Sequence, residues 1–233
     1  MKVRGYAAMQ AKAELTPWEF ERRELGGHDV LLDIKYSGIC HSDIHQAREE
    51  WGPAIFPMVP GHEIAGIVTA VGTKVTKFSV GDKIGVGVFV DSCRNCESCQ
   101  KGLQQYCVEG MTGTYNGLER DGKTVAMGGY SNNFVINEDY AVKIPDNLPL
   151  DGVAPLLCAG ITLYSPIKHW KVNSGMKVAV LSDSIATALK SKLPVAASVG
   201  NPIDVLGDAE PDRYVMAVNA ASDDQEVDAI IVI

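Results

Sequence analysis

Four cysteines spaced Cys93-x2-Cys96-x2-Cys99-x7-Cys107 constrain this chain more than any other feature. They lie in residues 91–109, a stretch too poor in apolar side chains to keep its shape by burial alone. Four thiolates suit Zn²⁺, which has no d-electron geometric preference, and a closed tetrahedral shell leaves no position for water or substrate. The site would then be structural. Iron–sulfur ligation also uses four thiolates, but here the fourth cysteine comes after seven residues and is followed by Val108, not proline. Disulfides and free thiols are the remaining alternatives. Met1 to Gln10 mixes polar and apolar residues without the continuous apolar core of a secretory signal, so metal ligation is the better use of these thiols.

The rest of the composition narrows the class. The chain has 233 residues, 46% of them hydrophobic, enough for one or two buried cores. A formal charge of −8 argues against a nucleic-acid binder, which needs a basic stripe to release counterions. No run approaches the roughly 18 apolar residues needed to cross a bilayer, so no membrane partner is expected. The expected compartment is the cytoplasm.

Residues 1–152 read as a strand-rich domain. Runs at 30–36 and 64–71 are β-branched and partly alternating, and Val71-Gly72, Val80-Gly81-Asp82 and Gly128-Gly129 punctuate them as turns do. Many short strands with glycine turns predict a barrel or sandwich. After the break at 148–152, residues 153–170 predict one long helix that Pro155 opens and Pro166 bends. Residues 176–180 predict a strand, 212–221 a short helix and 227–233 a buried strand. From 201 onward eight acidic residues face the single Arg213, a net charge of −7. An apolar strand at the end needs neighbours on both edges, so the last third reads as a fragment.

A second constellation is dispersed over Cys40, His62 and Cys158, within Gly38-Ile39-Cys40-His41-Ser42-Asp43-Ile44-His45, Pro60-Gly61-His62-Glu63 and Leu157-Cys158-Ala159-Gly160. Two thiolates and one imidazole would neutralise a zinc ion and leave its fourth position open for chemistry. Spacing alone does not join Cys158 to the others, and a lone buried cysteine is the competing reading.

These segments, with Val59-Pro60-Gly61-His62-Glu63-Ile64-Ala65-Gly66, Gly81-Asp82, the four-cysteine lobe and Pro155-Leu156-Leu157-Cys158-Ala159-Gly160-Ile161-Thr162, resemble the zinc-containing medium-chain alcohol dehydrogenases. Within that family they are most similar to the cinnamyl alcohol dehydrogenase-like, NADP-dependent aldehyde reductases. The resemblance runs from Met1 to about Val180. It implies a GroES-like β-barrel catalytic domain over 1–152, the start of a coenzyme domain over 153–181, and two zinc ions. Cys40, His62 and Cys158 would hold the catalytic zinc, with Glu63 beside it. Cys93, Cys96, Cys99 and Cys107 would hold the structural one. Ser42 and His45 fall where the family relays the alcohol proton, Trp51 where an aromatic lines the pocket, and Thr162 near the nicotinamide. Ser42 as a helix N-cap, His45 as a solvated helix residue, Trp51 as a core residue and Thr162 as helix packing are the bland alternatives. His28 reads as a surface histidine and His169 as a packing one.

The resemblance breaks after Val180. A G-x-G-x-x-G turn should receive the cofactor pyrophosphate there, but residues 181–190 contain no glycine and Asp183 adds a negative charge. The segment at 193–209, with Asn201-Pro202-Ile203-Asp204-Val205-Leu206-Gly207-Asp208, resembles part of an NDP-forming acyl-CoA synthetase. The fold expected is therefore mixed α+β: the barrel domain, then an incomplete or chimeric α/β segment over 182–233. The function expected is hydride transfer between NADP(H) and a primary alcohol or aldehyde, impaired by the lost glycines. A non-catalytic zinc scaffold is the alternative, and a homodimer is the expected assembly.

Overall fold

The computed structural model describes residues 1–174, 183–193 and 211–222, and the chain divides into two compact units, Met1–Ile161 and Thr162–Ile233. The first unit is built on antiparallel strands. Strands β1 (Lys2–Ala7) and β2 (Thr16–Glu21) form a hairpin. A five-stranded sheet runs β8 (Asn133–Asn137), β3 (Asp29–Ser37), β4 (Ile64–Val71), β5 (Lys83–Val86) and β9 (Val142–Lys143). A third sheet pairs β6 (Phe89–Asp91) with β7 (Thr112–Gly113).

The β-branched runs at 30–36 and 64–71 are the two central strands, and their inward residues make the main core. Val30, Leu32, Ile64, Val68, Ile84, Val86, Phe134 and Ile136 are all buried there. The alternation places these side chains on one face, as a period of two requires. The expected barrel is drawn as three open sheets among the described residues. Between the hairpin and β8 only an isolated bridge, Gly5 to Ser131, joins the ladders, because residues 126–132 run as an irregular strap there. The β3–β4 pairing shifts register between Leu31 and Leu32 and between Ile34 and Tyr36, as at β-bulges.

Three helical pieces carry functional residues. Helix α1 (His41–Ala47) follows β3, and a single turn, α2 (Glu97–Gln100), lies in the four-cysteine lobe. The long helix expected over 153–170 is broken. It becomes α3 (Leu150–Val153), a tight 3₁₀ turn (Ala154–Leu157) and α4 (Ala159–His169), with a bend of 61° at Cys158. Pro155 cannot donate an N–H and crowds the carbonyl of the preceding turn, and Cys158 itself leaves helical geometry at φ −123°, ψ −72°. Pro166 remains inside α4. No single helix among the described residues is long and apolar enough to cross a membrane.

In the second unit, α5 (Asp183–Lys190) and α6 (Pro211–Ser222) pack together and bury Leu189, Leu193 and Ala221. The helix expected at 212–221 is present, with Pro211 in its first turn, where a missing N–H costs nothing. The strands expected at 176–180 and 227–233, and the segment around Asn201 to Asp208, lie outside the described residues.

Candidate metal centres and active site

The lobe between β6 and β7 brings its four thiols together. Ligand atoms of Cys93, Cys96, Cys99 and Cys107 all lie within 4.8 Å of one another. Cys93 Sγ and Cys99 Sγ are 3.8 Å apart, much longer than the S–S bond of about 2.05 Å. It is also about the edge of a tetrahedron with 2.3 Å metal–sulfur bonds. Backbone donors face the cluster: Cys96 N–H to Cys93 Sγ at 3.3 Å, and Cys93 N–H to Cys107 Sγ at 3.4 Å. The N–H groups of Cys99 and Val108 hold the Cys96 thiol down to about 6. Arg94, Gly102 and Gly110 turn the chain through positive φ to wrap it round the thiols. Tyr106 and Val108 are exposed, so the lobe has little apolar burial to hold it.

The dispersed trio also converges. Ligand atoms of Cys40, His62, Glu63 and Cys158 lie within 4.8 Å of one another, with Cys40 Sγ 4.0 Å from Cys158 Sγ. Each comes from a different structural device. Cys40 ends the β3 loop as the N-cap of α1, His62 and Glu63 precede β4, and the bend before α4 presents Cys158. The cap is Cys40, so the N-cap reading of Ser42 does not hold: Ser42 lies inside the first turn, its Oγ 3.6 Å from Cys40 Sγ.

Asp43 organises this site, a role the sequence reading missed. Its carboxylate is 2% exposed and accepts from Cys40 N–H at 3.1 Å, Gly61 N–H at 2.9 Å and the Tyr130 hydroxyl at 3.1 Å. It also bonds His62 Nδ1 at 2.9 Å, which leaves Nε2 as the ring nitrogen that meets Cys40. Burial alone would raise the Asp43 carboxyl, but the His62 bond and charge hold it below its usual range. Burial likewise works against a charged His62, yet Asp43 and Cys40 raise the imidazole to about 10. The Cys158 thiol, then His62, hold the Cys40 thiol well below its ordinary value. Burial raises the carboxyl of Glu63. The side chain of Tyr115 stacks on His62 at 5.9 Å between centroids. The sequence signal for Asp43 was its place three residues after a cap, where a carboxylate reaches back to the cap N–H.

The flank of α1 is equally ordered. His45 is 8% exposed, not solvated: its Nδ1 is 2.6 Å from Glu50 Oε2, and its ring lies 4.3 Å from His41 and 4.9 Å from Trp51. Trp51 is partly exposed, stacked on that ring, rather than in the core. His28 bonds Glu138 at 3.0 Å while remaining largely exposed. His169 is exposed and meets the Trp170 ring edge-on at 4.9 Å. Thr162 lies in the second unit, exposed on α4.

An antiparallel domain that gathers one all-thiol set and one mixed thiol–imidazole set has the donor chemistry of transition-metal sites. The alcohol dehydrogenase GroES-like domain matches residues 26–146, more than half of the chain, and the chain belongs to that family. It is 58% identical over 180 residues to the NADP-dependent alcohol dehydrogenase C 1 of Mycolicibacterium smegmatis, covering 77% of this chain and 51% of that protein. The crystal structure of CAD from Helicobacter pylori complexed with NADP(H) is 46% identical, with a TM-score of 0.74, over 81% of this chain and 56% of that one. A cinnamyl alcohol dehydrogenase from Sorghum bicolor is 36% identical with a TM-score of 0.74, over 100% of this chain and 64% of that one. The chain spans about half the length of the curated relatives it matches.

Proposed function

We propose that this chain carries the catalytic domain of a zinc-dependent, NADP-linked alcohol dehydrogenase or aldehyde reductase, moving hydride between NADP(H) and a primary alcohol or aldehyde. The observation that carries the reading is the convergence of Cys40, His62 and Cys158, with Glu63 beside them, from segments far apart in the chain. Bound there, zinc would polarise a substrate oxygen, and NADP(H) would supply or take the hydride. Cys40 and Cys158 would serve as thiolate ligands and His62 through Nε2, held in orientation by Asp43. Cys93, Cys96, Cys99 and Cys107 would hold the second, structural zinc.

Ser42 would take the alcohol proton at Oγ and pass it on toward His45. Since Glu50 engages His45 Nδ1, Nε2 is the atom left to receive it. Trp51, packed on His45, would wall the substrate pocket, and Thr162 would contact the nicotinamide. None of the six cysteines is disulfide-bonded, which suits a reducing compartment such as the cytoplasm. A homodimer is the assembly proposed.

The same reading takes residues 1–152 as the catalytic domain, 153–181 as the start of a coenzyme domain and 182–233 as a segment of different origin. It is supported by the 180-residue extent of the likeness to the mycobacterial relative and by the absence of glycine from 181–190. Cofactor affinity and turnover are therefore expected to be low. The test is to load the chain with zinc and measure NADPH binding and oxidation against aromatic and short aliphatic aldehydes. Oxidation that disappears in a His62→Ala variant supports the enzyme. Full zinc with neither binding nor oxidation would overturn it in favour of a scaffold.

A further inference from the structure

Arg22 follows β2 directly and is buried to 9% exposure, although no carboxylate is hydrogen-bonded to it. A guanidinium taken out of water with no acid in direct contact is costly: burial pulls it down to about 9, against the opposing charge of Glu119. Its donors are spent on one object. Nε–H donates to Asn133 O at 2.8 Å, Nη1 to Met127 O at 2.7 Å, and Nη2 to Gly128 O at 2.8 Å and Ser131 Oγ at 2.9 Å. The cation lies 5.0 Å from the Phe20 ring centroid and 4.4 Å from that of Phe134. Four acceptors within residues 127–133 are thus fixed by one rigid fork, which a lysine ammonium could not match.

The strap so held reaches the candidate catalytic site from its other side. Gly128 N–H donates to Val59 O at 2.7 Å, Tyr130 N–H to Pro60 O at 2.9 Å and Gly129 N–H to Gly61 O at 2.8 Å. Gly61 sits at φ +102°, and a Cβ there would come within 2.9 Å of the Gly129 and Tyr130 nitrogens, so the two segments are in direct backbone contact. The Tyr130 hydroxyl then donates to Asp43, the carboxylate that orients His62.

We infer that Arg22 is a positioning residue for the dispersed metal site, acting through the 127–133 strap and the Tyr130 hydroxyl on the Asp43–His62 pair. The inference rests on the proposal that Cys40, His62 and Cys158 hold zinc. Arg22 touches neither metal nor substrate; it sets the angle from which Asp43 meets the imidazole. Removing such outer partners weakens metal sites by about 10–100-fold.

The test follows zinc release from the full chain into a chromogenic chelator, reading the dispersed and four-thiol sites as separate phases. Arg22→Lys keeps the charge but loses the fork, and Tyr130→Phe removes only the hydroxyl and leaves the strap intact. Both are expected to speed release from the dispersed site about tenfold, leaving the four-thiol phase at the parent rate. Val68→Ala, in the main core, serves as a control for general destabilisation and should leave the ratio of the two phases unchanged. A parent chain with zinc at the four thiols alone would overturn the metal reading and this inference together. Two zinc ions in the parent, with both variants releasing at the parent's rates or with the Val68→Ala control changing the ratio equally, would overturn this inference alone.

Discussion

Glu138 shows how a single side chain ties distant loops of the first unit together. Its carboxylate is 4% exposed and accepts from Thr76 N–H at 2.8 Å and Lys77 N–H at 2.9 Å, with His28 Nδ1 3.0 Å away. The Thr76 N–H, then His28, hold its carboxyl down to about 2, against an ordinary 4.5. A carboxyl depressed on folding adds stability above its unfolded value and loses it as pH falls toward the folded one, here between about 4.5 and 2. Glu138→Gln should therefore lower stability by about 1–3 kcal/mol at neutral pH and flatten its fall in that acid window. Denaturant melts from pH 7 to 3 check this; a parallel acid limb in the variant would contradict it. At this scale the residues that converge in the candidate site were legible and those that hold them in place were not. Cys40 and His62 stand in short, information-rich segments, whereas Tyr130 and Arg22 matter only through partners far along the chain, as with the 106 positions between Arg22 and Gly128.

The elements divide in the same way. The central strands follow from β-branched alternation, and their bounds fall within a residue or so of the runs read from sequence. The helix from 153 to 170 was misread because its composition suits a continuous helix, while Pro155 and the needs of the site break it at Cys158. Propensity gave way to tertiary demand there. The four-cysteine lobe is the element whose order would depend most on the proposed zinc, since residues such as Tyr106 and Val108 lie in solvent. Cys96→Ser should strip hydrogen-exchange protection from residues 91–109 and leave that of β3 and β4 as in the parent. A lobe as protected as before would show that its own hydrogen bonds suffice.

Across the whole molecule the two donor sets differ in charge and in reach. Four thiolates around Zn²⁺ form a closed, anionic shell, while two thiolates and a neutral imidazole leave a neutral site with one open position. A chelator should draw zinc in two phases, and the faster phase should vanish in Cys158→Ala while the slower one persists; a single phase, or a fast phase indifferent to that substitution, would count against the dispersed trio. The sequence positions add a temporal side. Cys93 and Cys107 are 14 apart, whereas Cys40 and Cys158 are separated by 118. Closing the longer loop costs about 2 kcal/mol more in chain entropy, and it cannot begin until residue 158 exists. On a ribosome, the lobe could take the zinc proposed for it while the chain is still being made. The bend at Cys158 would thus make the second of the proposed ions a late arrival, admitted only after the strands between Cys40 and Cys158 have been threaded into place.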